Sequence, residues 1–239
     1  MVRRMVKQRG RGTKIAAAFA IAVVAVGALI AVQQLGGKGT TVAADASALQ
    51  NVALAKQELA GIPETKGVLG SPSAPATIVM YGDLRCPVCR QWDAQEAPDV
   101  IANLVRPGKA KMDLRLWAIL GPNSEAAHRA GYAAMQQNKL WLYATIVYAN
   151  QGDEQTNWFT DSFARAVAQA AGLDLKRFDA DRKSDAAGQM IDEVDANAQA
   201  LGLTGTPTIA VAKGSTEPAF FSGVPTTDDI VNAVKTAAG

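Results

Sequence analysis

The chain has 239 residues and 49% of them are hydrophobic, so it can build a core without using its two cysteines as a disulfide staple. The net charge of +2 hides an asymmetry, because residues 1–14 carry six basic and no acidic side chains. The remainder has 18 basic and 22 acidic residues. It therefore lacks the basic clustering of a nucleic-acid-binding domain, and the charge pattern excludes that class for the main body.

The basic tail leads into an uncharged apolar run from Ile15 to Val32. As a helix this run would be roughly 27 Å long, which is at the lower end of what crosses a bilayer. Since basic residues precede it, we predict a transmembrane anchor at 15–33, with the tail at 1–14 in the cytoplasm and the remainder outside. A cleaved signal peptide and a buried core helix are the alternatives. Both the anchor and the signal peptide would place the body where disulfides can form.

The segment after the apolar run is predicted to be a juxtamembrane linker, residues 34–65. It contains helical spacing over 45–60, which ends at Gly61, and Pro63 prevents the helix from continuing. The main domain is expected over residues 66–239.

Strands and helices follow one another in the main domain in the order strand, helix, strand, several helices, strand, strand, helix. The predicted strands are apolar or alternating segments, and they lie at 76–81, 109–119, 206–212 and 218–223. The predicted helices cover 91–105 with a kink at Pro98, most of 124–201, and a last segment capped by Thr226 or Thr227. This order indicates an α/β fold with a helical insertion at about 122–201.

The two cysteines lie three residues apart in the segment DLRCPVCRQW, soon after the first predicted strand. Residues with this spacing on a helical turn come within roughly 5–6 Å of each other, which is inside the range that a disulfide tolerates. Cys86 and Cys89 can therefore form and open a disulfide. Exchange chemistry also needs one sulfur to ionise near neutral pH, and a helix N-terminus favours a thiolate.

Pro87 indicates how the two cysteines are placed. Proline suits the first position of a helix, and it moves the preceding residue out of helical geometry. We therefore predict that Cys86 is the N-cap, with its sulfur facing the free amides, and that Cys89 lies one turn behind it. Cys86 would be the attacking thiol and Cys89 the resolving thiol.

Two other uses of the cysteine pair stay open. A structural disulfide between residues three apart closes a small loop and stabilises the fold little. A metal site commonly needs four cysteine or histidine ligands. His128 is the one histidine of the chain, so a partner chain would have to complete such a site.

A second motif, Thr206-Pro207-Thr208, precedes a predicted strand. It can be an ordinary turn, or it can be a loop with a cis proline. In the second case the backbone of Thr206 would be exposed beside the thiols, where an extended substrate could pair with it.

Three segments of the main domain resemble the DsbA-like thiol:disulfide oxidoreductases, a branch of the thioredoxin superfamily with a helical insertion. They are GSPSAPATIVMYGDLRCPVC, NSEAAHRAGYAAMQQNKLWLY and ALGLTGTPTIAV. The Cys-Pro-x-Cys and Thr-Pro motifs are the specific elements. The resemblance implies a thioredoxin-like α/β fold with an α-helical insertion, preceded here by the N-terminal transmembrane helix.

The resemblance also implies a role for each residue of the two motifs. Cys86 would be the nucleophile, Cys89 the resolving cysteine, Pro207 the cis proline, and Thr206 the residue facing the disulfide. It further implies re-oxidation by a quinone-linked membrane partner of the DsbB or vitamin K epoxide reductase type. We expect no bound cofactor and no metal.

The chain departs from the family pattern at two positions. Val88 stands between Pro87 and Cys89, where the best-studied oxidases have a histidine that helps to stabilise the thiolate, so Cys86 is expected to be less acidic here. Met80 stands where many relatives have an acid beneath the active site, which leaves the proton route of Cys89 unassigned.

Other conspicuous side chains are predicted to have structural roles. His128 is expected to be partly exposed on an insertion helix, Asp83 and Glu96 to be solvated, and Trp92 to lie in the core. Five aromatic residues are expected to pack the insertion, with a substrate groove as their alternative role: Trp141, Tyr143, Tyr148, Trp158 and Phe159.

These observations predict a membrane-tethered oxidase that passes its disulfide to secreted or envelope proteins. The closest alternative is a reductase or isomerase, because direction depends on the reduction potential. Isomerases tend to carry a separate dimerisation domain, and residues 34–65 are short for one, which favours the oxidase. A soft-metal-binding protein and a membrane scaffold are further alternatives, and the intact cysteines argue against the scaffold.

Overall fold

The computed structural model describes residues 45–214 and 217–238. The predicted cytoplasmic tail at 1–14 and the predicted anchor at 15–33 lie outside these residues. Within the described ranges, no helix combines the length and the apolar character that are needed to cross a bilayer.

The described residues form one mixed sheet of six strands. The strands are β1 Glu64–Thr65, β2 Val68–Leu69, β3 Ala76–Gly82, β4 Ala110–Leu116, β5 Thr208–Ala212 and β6 Ala219–Ser222. Their order across the sheet is β1-β2-β4-β3-β5-β6, with β3 parallel to β4 and antiparallel to β5. The strand that leads into the cysteines, β3, is therefore flanked on both sides.

Helices surround the sheet and fill the connection between β4 and β5. They are α1 Val52–Leu59, α2 Pro87–Gln95, α3 Ala97–Val100, α4 Pro122–Met135, α5 Leu140–Ala149, α6 Asp161–Ala170, α7 Leu175–Asp181, α8 Asp185–Ala200 and α9 Thr227–Ala238. The chain continues from α3 through a π-helical turn, Ile101–Val105. Since α4 to α8 all lie between β4 and β5, the predicted α/β fold with a helical insertion is confirmed.

Alternation along β3 separates two apolar clusters. Met80 points into the main core, which also contains Cys89. Its neighbour Tyr81 belongs to a second cluster that contains Ala198 of α8. Because successive side chains of a strand point to opposite faces, the sheet is covered on both faces, and the cysteines belong to the larger core.

The N-terminal segment differs from the single helix predicted over 45–60. A short 3-10 turn, Ala46–Ala48, is separated from α1 by Asn51. Asn51 has a φ of 58°, in the left-handed region that interrupts a right-handed helix. The hairpin of β1 and β2 was not predicted, because strands of two residues are too short to show alternation.

The helix predicted over 91–105 also breaks earlier than expected. It ends at Gln95 and restarts at Ala97, so the break precedes Pro98. Pro98 is the second residue of α3, where a proline leaves no intrahelical hydrogen bond unmade.

The N-terminus of α9 is closed by two acidic side chains. Thr226 is the cap, because its Oγ1 accepts the Asp229 N–H at 3.2 Å while the Asp229 carboxylate accepts the Thr226 N–H at 2.9 Å. The Glu96 carboxylate accepts the N–H of Thr227 at 2.6 Å. Glu96 is half-buried and ties α9 to the end of α2, so the prediction of a solvated side chain is wrong.

Candidate active site

The CPVC segment joins the end of β3 to the start of α2. Helix α2 begins at Pro87, and Cys86 is its N-cap, with extended backbone at φ −74° and ψ 121°. The Cys86 Sγ accepts the Cys89 N–H at 3.4 Å. The predicted N-cap position of Cys86 is confirmed, and it follows from the backbone restriction that Pro87 imposes.

The environment of Cys86 lowers its pKa from an ordinary value of 9.0 to about 6. The largest cause is a hydrogen bond from the Cys89 thiol, which outweighs the opposing effect of burial. The side chain of Thr206 and the backbone amides of Cys89 and Val88 lower the pKa further. A thiol with this pKa is about nine-tenths ionised at pH 7, so Cys86 has the charge state of a nucleophile.

Cys89 is tuned in the opposite direction. It is fully buried, and burial is the largest cause of a pKa that is raised well above the ordinary value. The hydrogen bond to Cys86 and the charge of that sulfur raise it further. Cys89 therefore keeps its proton while Cys86 is ionised, and both cysteines are free thiols in this structure.

The Thr206-Pro207 turn lies directly against Cys86. Its peptide bond is cis, so of the two predicted forms of this turn the cis form is correct. When Cys86 is protonated, its thiol donates to the Thr206 carbonyl at 3.4 Å. The buried Thr206 hydroxyl makes no hydrogen bond of ordinary geometry among the described residues, so it is free to turn towards the sulfur. Residues 120 positions apart in the chain thus meet in one site.

The segment before Cys86 is held by a buried carboxylate, that of Asp83. This carboxylate accepts hydrogen bonds from the N–H groups of Arg85 at 2.8 Å, Ile119 at 3.1 Å and Leu120 at 3.3 Å, and from the Ser124 hydroxyl at 3.0 Å. Asp83 is fully buried, and the prediction of a solvated side chain is wrong. It fixes the loop after β4 and the start of α4 to the active-site segment.

His128 belongs to the same cluster. It is fully buried, so the prediction of a partly exposed helix histidine is also wrong. Its Nε2 lies 3.2 Å from the Leu84 nitrogen and 3.4 Å from the Asp83 carboxylate. Burial alone would raise the pKa of Asp83, but His128, the Arg85 N–H and Ser124 together lower it.

The loop between α5 and α6 is tied to the active-site segment by two side chains that sequence reasoning missed. Arg85 is 4% exposed, and its guanidinium donates to the carbonyls of Glu154 at 3.0 Å and Thr156 at 2.8 Å. Gln151 of that loop donates to the Cys86 carbonyl at 3.2 Å. This loop therefore forms one wall of the site.

The remaining predicted side chains fall where the sequence indicates. Val88 is 39% exposed beside Cys86, Trp92 is fully buried, and Met80 is buried in the core. Four of the five aromatic residues are buried, and Trp158 packs edge-on against Phe159. Among the residues that the structure describes, no group of three or more potential ligands is placed to hold a metal ion.

Comparison with known proteins finds relatives with this fold, and the printed names of some of them refer to disulfide bond formation. The chain is similar to the "Probable disulfide bond formation protein D" of Bacillus cereus, at 26% identity over 162 residues, which is 66% of this chain and 75% of that protein. It resembles the crystal structure of BdbD from Bacillus subtilis (oxidised), with a TM-score of 0.64 and 20% identity over 74% of this chain and 96% of that one. It also resembles a thioredoxin-like oxidoreductase from Silicibacter pomeroyi, with a TM-score of 0.61 and 27% identity over 80% of this chain and 98% of that one.

A sequence profile described as thioredoxin matches residues 63–220. The matched region starts at the β1–β2 hairpin, contains both cysteines and the cis proline, and runs into β6. Because it covers well over half of the chain, the chain belongs to the thioredoxin family.

Proposed function

We propose that the protein is an extracytoplasmic thiol:disulfide oxidase that donates the Cys86–Cys89 disulfide to secreted or envelope proteins. The observation that carries this proposal is the opposite tuning of two adjacent thiols. The pKa of Cys86 is lowered to about 6 at the helix N-terminus, and that of Cys89 is raised by burial.

The tuning matches the steps of disulfide donation. A substrate thiolate attacks the Cys86 sulfur of the oxidised protein, the Cys86–Cys89 bond breaks, and the electron pair goes to Cys89, which takes up a proton. The second substrate thiolate then attacks the substrate sulfur of the mixed disulfide. The substrate disulfide forms, and Cys86 leaves as a thiolate. Because a thiol of low pKa is a good leaving group, this second step is favoured.

The Thr206-Pro207 turn supplies the surface on which a substrate can bind. The Thr206 carbonyl lies beside the Cys86 sulfur, and an extended peptide can hydrogen-bond to exposed backbone in the manner of strand addition. Val88, which is 39% exposed, adds an apolar contact next to the reactive sulfur. Pro87 supports the site because it is the first residue of α2.

The membrane setting is part of the same proposal. Residues 15–33 would anchor the chain, with 1–14 in the cytoplasm and the linker 34–65 leading to a catalytic domain at 66–239 outside it. The support is the uncharged apolar run after six basic residues. A quinone-linked membrane protein of the DsbB or vitamin K epoxide reductase type would re-oxidise the pair, as the resemblance to disulfide-forming proteins suggests.

The test uses the oxidised full chain and a reduced, unfolded secreted protein that contains two cysteines. The expected result is a disulfide in the substrate and two free thiols in the chain. When the same substrate is supplied as its disulfide, the reduced Cys89→Ala variant should attack it through Cys86 and accumulate a mixed disulfide, and Cys86→Ala should accumulate none. If the substrate stays reduced while the reduced chain opens substrate disulfides, the protein is a reductase. A reduced chain that retains copper(I) through gel filtration and does not exchange would indicate a metal-binding protein.

A further inference from the structure

A groove of about 650 Å³ runs beside the active-site helix, between α1, α2 and α5. Its walls include Leu54, Glu58, Val88, Asp93, Thr145 and Tyr148. A water molecule takes up about 30 Å³ of liquid volume, so the groove has room for several. It brings solvent to Asp93 on α2.

Asp93 is the acidic residue of α2 in this groove, and it shares a helix face with Cys89. Residues four apart on a helix have β-carbons about 5–6 Å apart, so the Cys89 and Asp93 side chains start from neighbouring positions on α2. The Thr145 hydroxyl donates to Asp93 Oδ1 at 3.2 Å. Burial, and then the charge of Glu58, raise the pKa of Asp93 to about 7. A carboxyl group with that pKa gains and loses a proton equally readily near neutral pH.

Tyr148 lies close enough to both Cys89 and Asp93 to feel their charges. Its pKa is raised first by burial, and then by the charges of Cys89 and Asp93. Its hydroxyl donates to the Asp83 carbonyl at 3.4 Å, and the residue also lines the groove. Tyr148 therefore stays neutral, and it lies in the same core cluster as Cys89.

The groups that surround Asp93 favour Asp93 as the acceptor of the Cys89 proton. Glu58 approaches from α1, Thr145 and Tyr148 from α5, and Arg90 of α2 lies on the wall of the groove. The pKa of Glu58 is also raised by burial. On β3, where relatives carry an acid, this chain has the apolar Met80, which has no proton to exchange.

We propose that Asp93 accepts the Cys89 proton while the Cys86–Cys89 disulfide forms, and returns that proton while the disulfide opens. This assignment rests on the proposed exchange function and names the residue that completes it. In re-oxidation, Cys89 loses its proton to the Asp93 carboxylate, directly or through one water. The Cys89 sulfur attacks Cys86 in the mixed disulfide, the new Cys86–Cys89 bond forms, and the partner leaves as a thiolate. In substrate oxidation the protonated Asp93 returns the proton to the Cys89 thiolate.

The test follows two consecutive steps of one reaction in the reduced full chain. Cys86 attacks a chromogenic aromatic disulfide, dithionitrobenzoate, and releases one coloured thiolate. Cys89 then resolves the mixed disulfide and releases a second. The parent should show a second phase whose rate constant changes with pH around 7. In Asp93→Asn the second phase should slow at least about tenfold and lose that inflection, while the first phase stays unchanged.

Two matched variants keep the test decisive even if Asp93→Asn does not fold. Glu58→Gln removes the charge that raises the pKa of Asp93, so the inflection should move to lower pH. Thr145→Val removes the hydrogen bond that lowers it, so the inflection should move to higher pH. An unchanged second phase in all three variants would overturn the role of Asp93. Loss of the first phase in the parent would instead count against the proposed exchange function.

Discussion

The slope of the reduction potential of the Cys86–Cys89 pair against pH should change near pH 6. Below the pKa of Cys86, reduction of the disulfide takes up two protons, and the potential falls by about 59 mV per pH unit. Above that pKa only Cys89 takes up a proton, because the pKa of Cys86 is lowered to about 6 and that of Cys89 is raised. The slope should then be about 30 mV per pH unit.

The size of the effect follows from linkage. A lowered thiol pKa stabilises the reduced fold above the ordinary pKa, and this stabilisation is lost as the pH falls through the folded value. The shift from 9.0 to about 6 corresponds to at most about 4 kcal/mol, reached only above pH 9. At pH 7, one unit above the folded pKa, about 1.4 kcal/mol is available, which equals about 30 mV. Solvent near Cys86 reduces both figures.

The assay equilibrates the full chain in glutathione buffers from pH 5 to pH 8.5, quenches with acid, and counts alkylated thiols by mass spectrometry. Thr206→Val is the matched variant, because it removes a hydroxyl that lowers the pKa of Cys86 and keeps the shape of the side chain. The change of slope should move to higher pH in this variant. A single slope of about 59 mV per pH unit up to pH 8 would refute the thiolate argument.

Three further outcomes are expected. At pH 6 a limiting alkylating agent should modify Cys86 at least about 100 times faster than Cys89. About half of Cys86 is ionised there, while burial raises the pKa of Cys89 and keeps it protonated. Peptide mapping measures the ratio, and comparable rates would remove the N-cap argument. Asp83→Ala should lower the free energy of unfolding by about 3–5 kcal/mol, because it leaves buried hydrogen-bond donors without an acceptor, and Asp83→Asn should lower it less. Denaturant titration of the reduced chain measures both, and a loss below about 1 kcal/mol for the alanine variant would contradict the anchoring role. Burial raises the pKa of Glu64 to about 7, so its contribution to stability is present below about pH 4.5 and disappears as the pH rises through 7. The free energy of unfolding of Glu64→Gln should equal that of the parent at pH 4 and be larger by about 2 kcal/mol at pH 8. Equal stability of the two proteins at both pH values would contradict this.

Local features of this chain could be predicted where one or two residues determine the backbone. Pro87 alone places Cys86 at the N-cap, because its ring restricts both its own φ and the residue before it. Thr226 and Asp229 form a capping box that neighbouring residues complete. Buried polar residues were harder, because their partners come from distant elements. Asp83 receives its hydrogen bonds from residues 119, 120 and 124, and the sequence indicates this only through Ser124 and His128, which lie four apart on one face of α4.

The surroundings of Asp93 show why the sequence alone does not predict where the part of the chain that affects the active site begins. On α2 alone, Asp93 is a polar residue near the end of a short helix, which by its pattern belongs to solvent. Its environment arises because α1, which the sequence placed in the linker 34–65, packs against α5 and brings Leu54 and Glu58 to the groove. Burial and a nearby like charge both raise a carboxyl pKa, so the segment before residue 66 tunes a group one helical turn from the resolving thiol. The linker therefore takes part in the proposed proton transfer, and the thioredoxin-like domain cut at residue 66 should lose the inflection near pH 7 while keeping both cysteines.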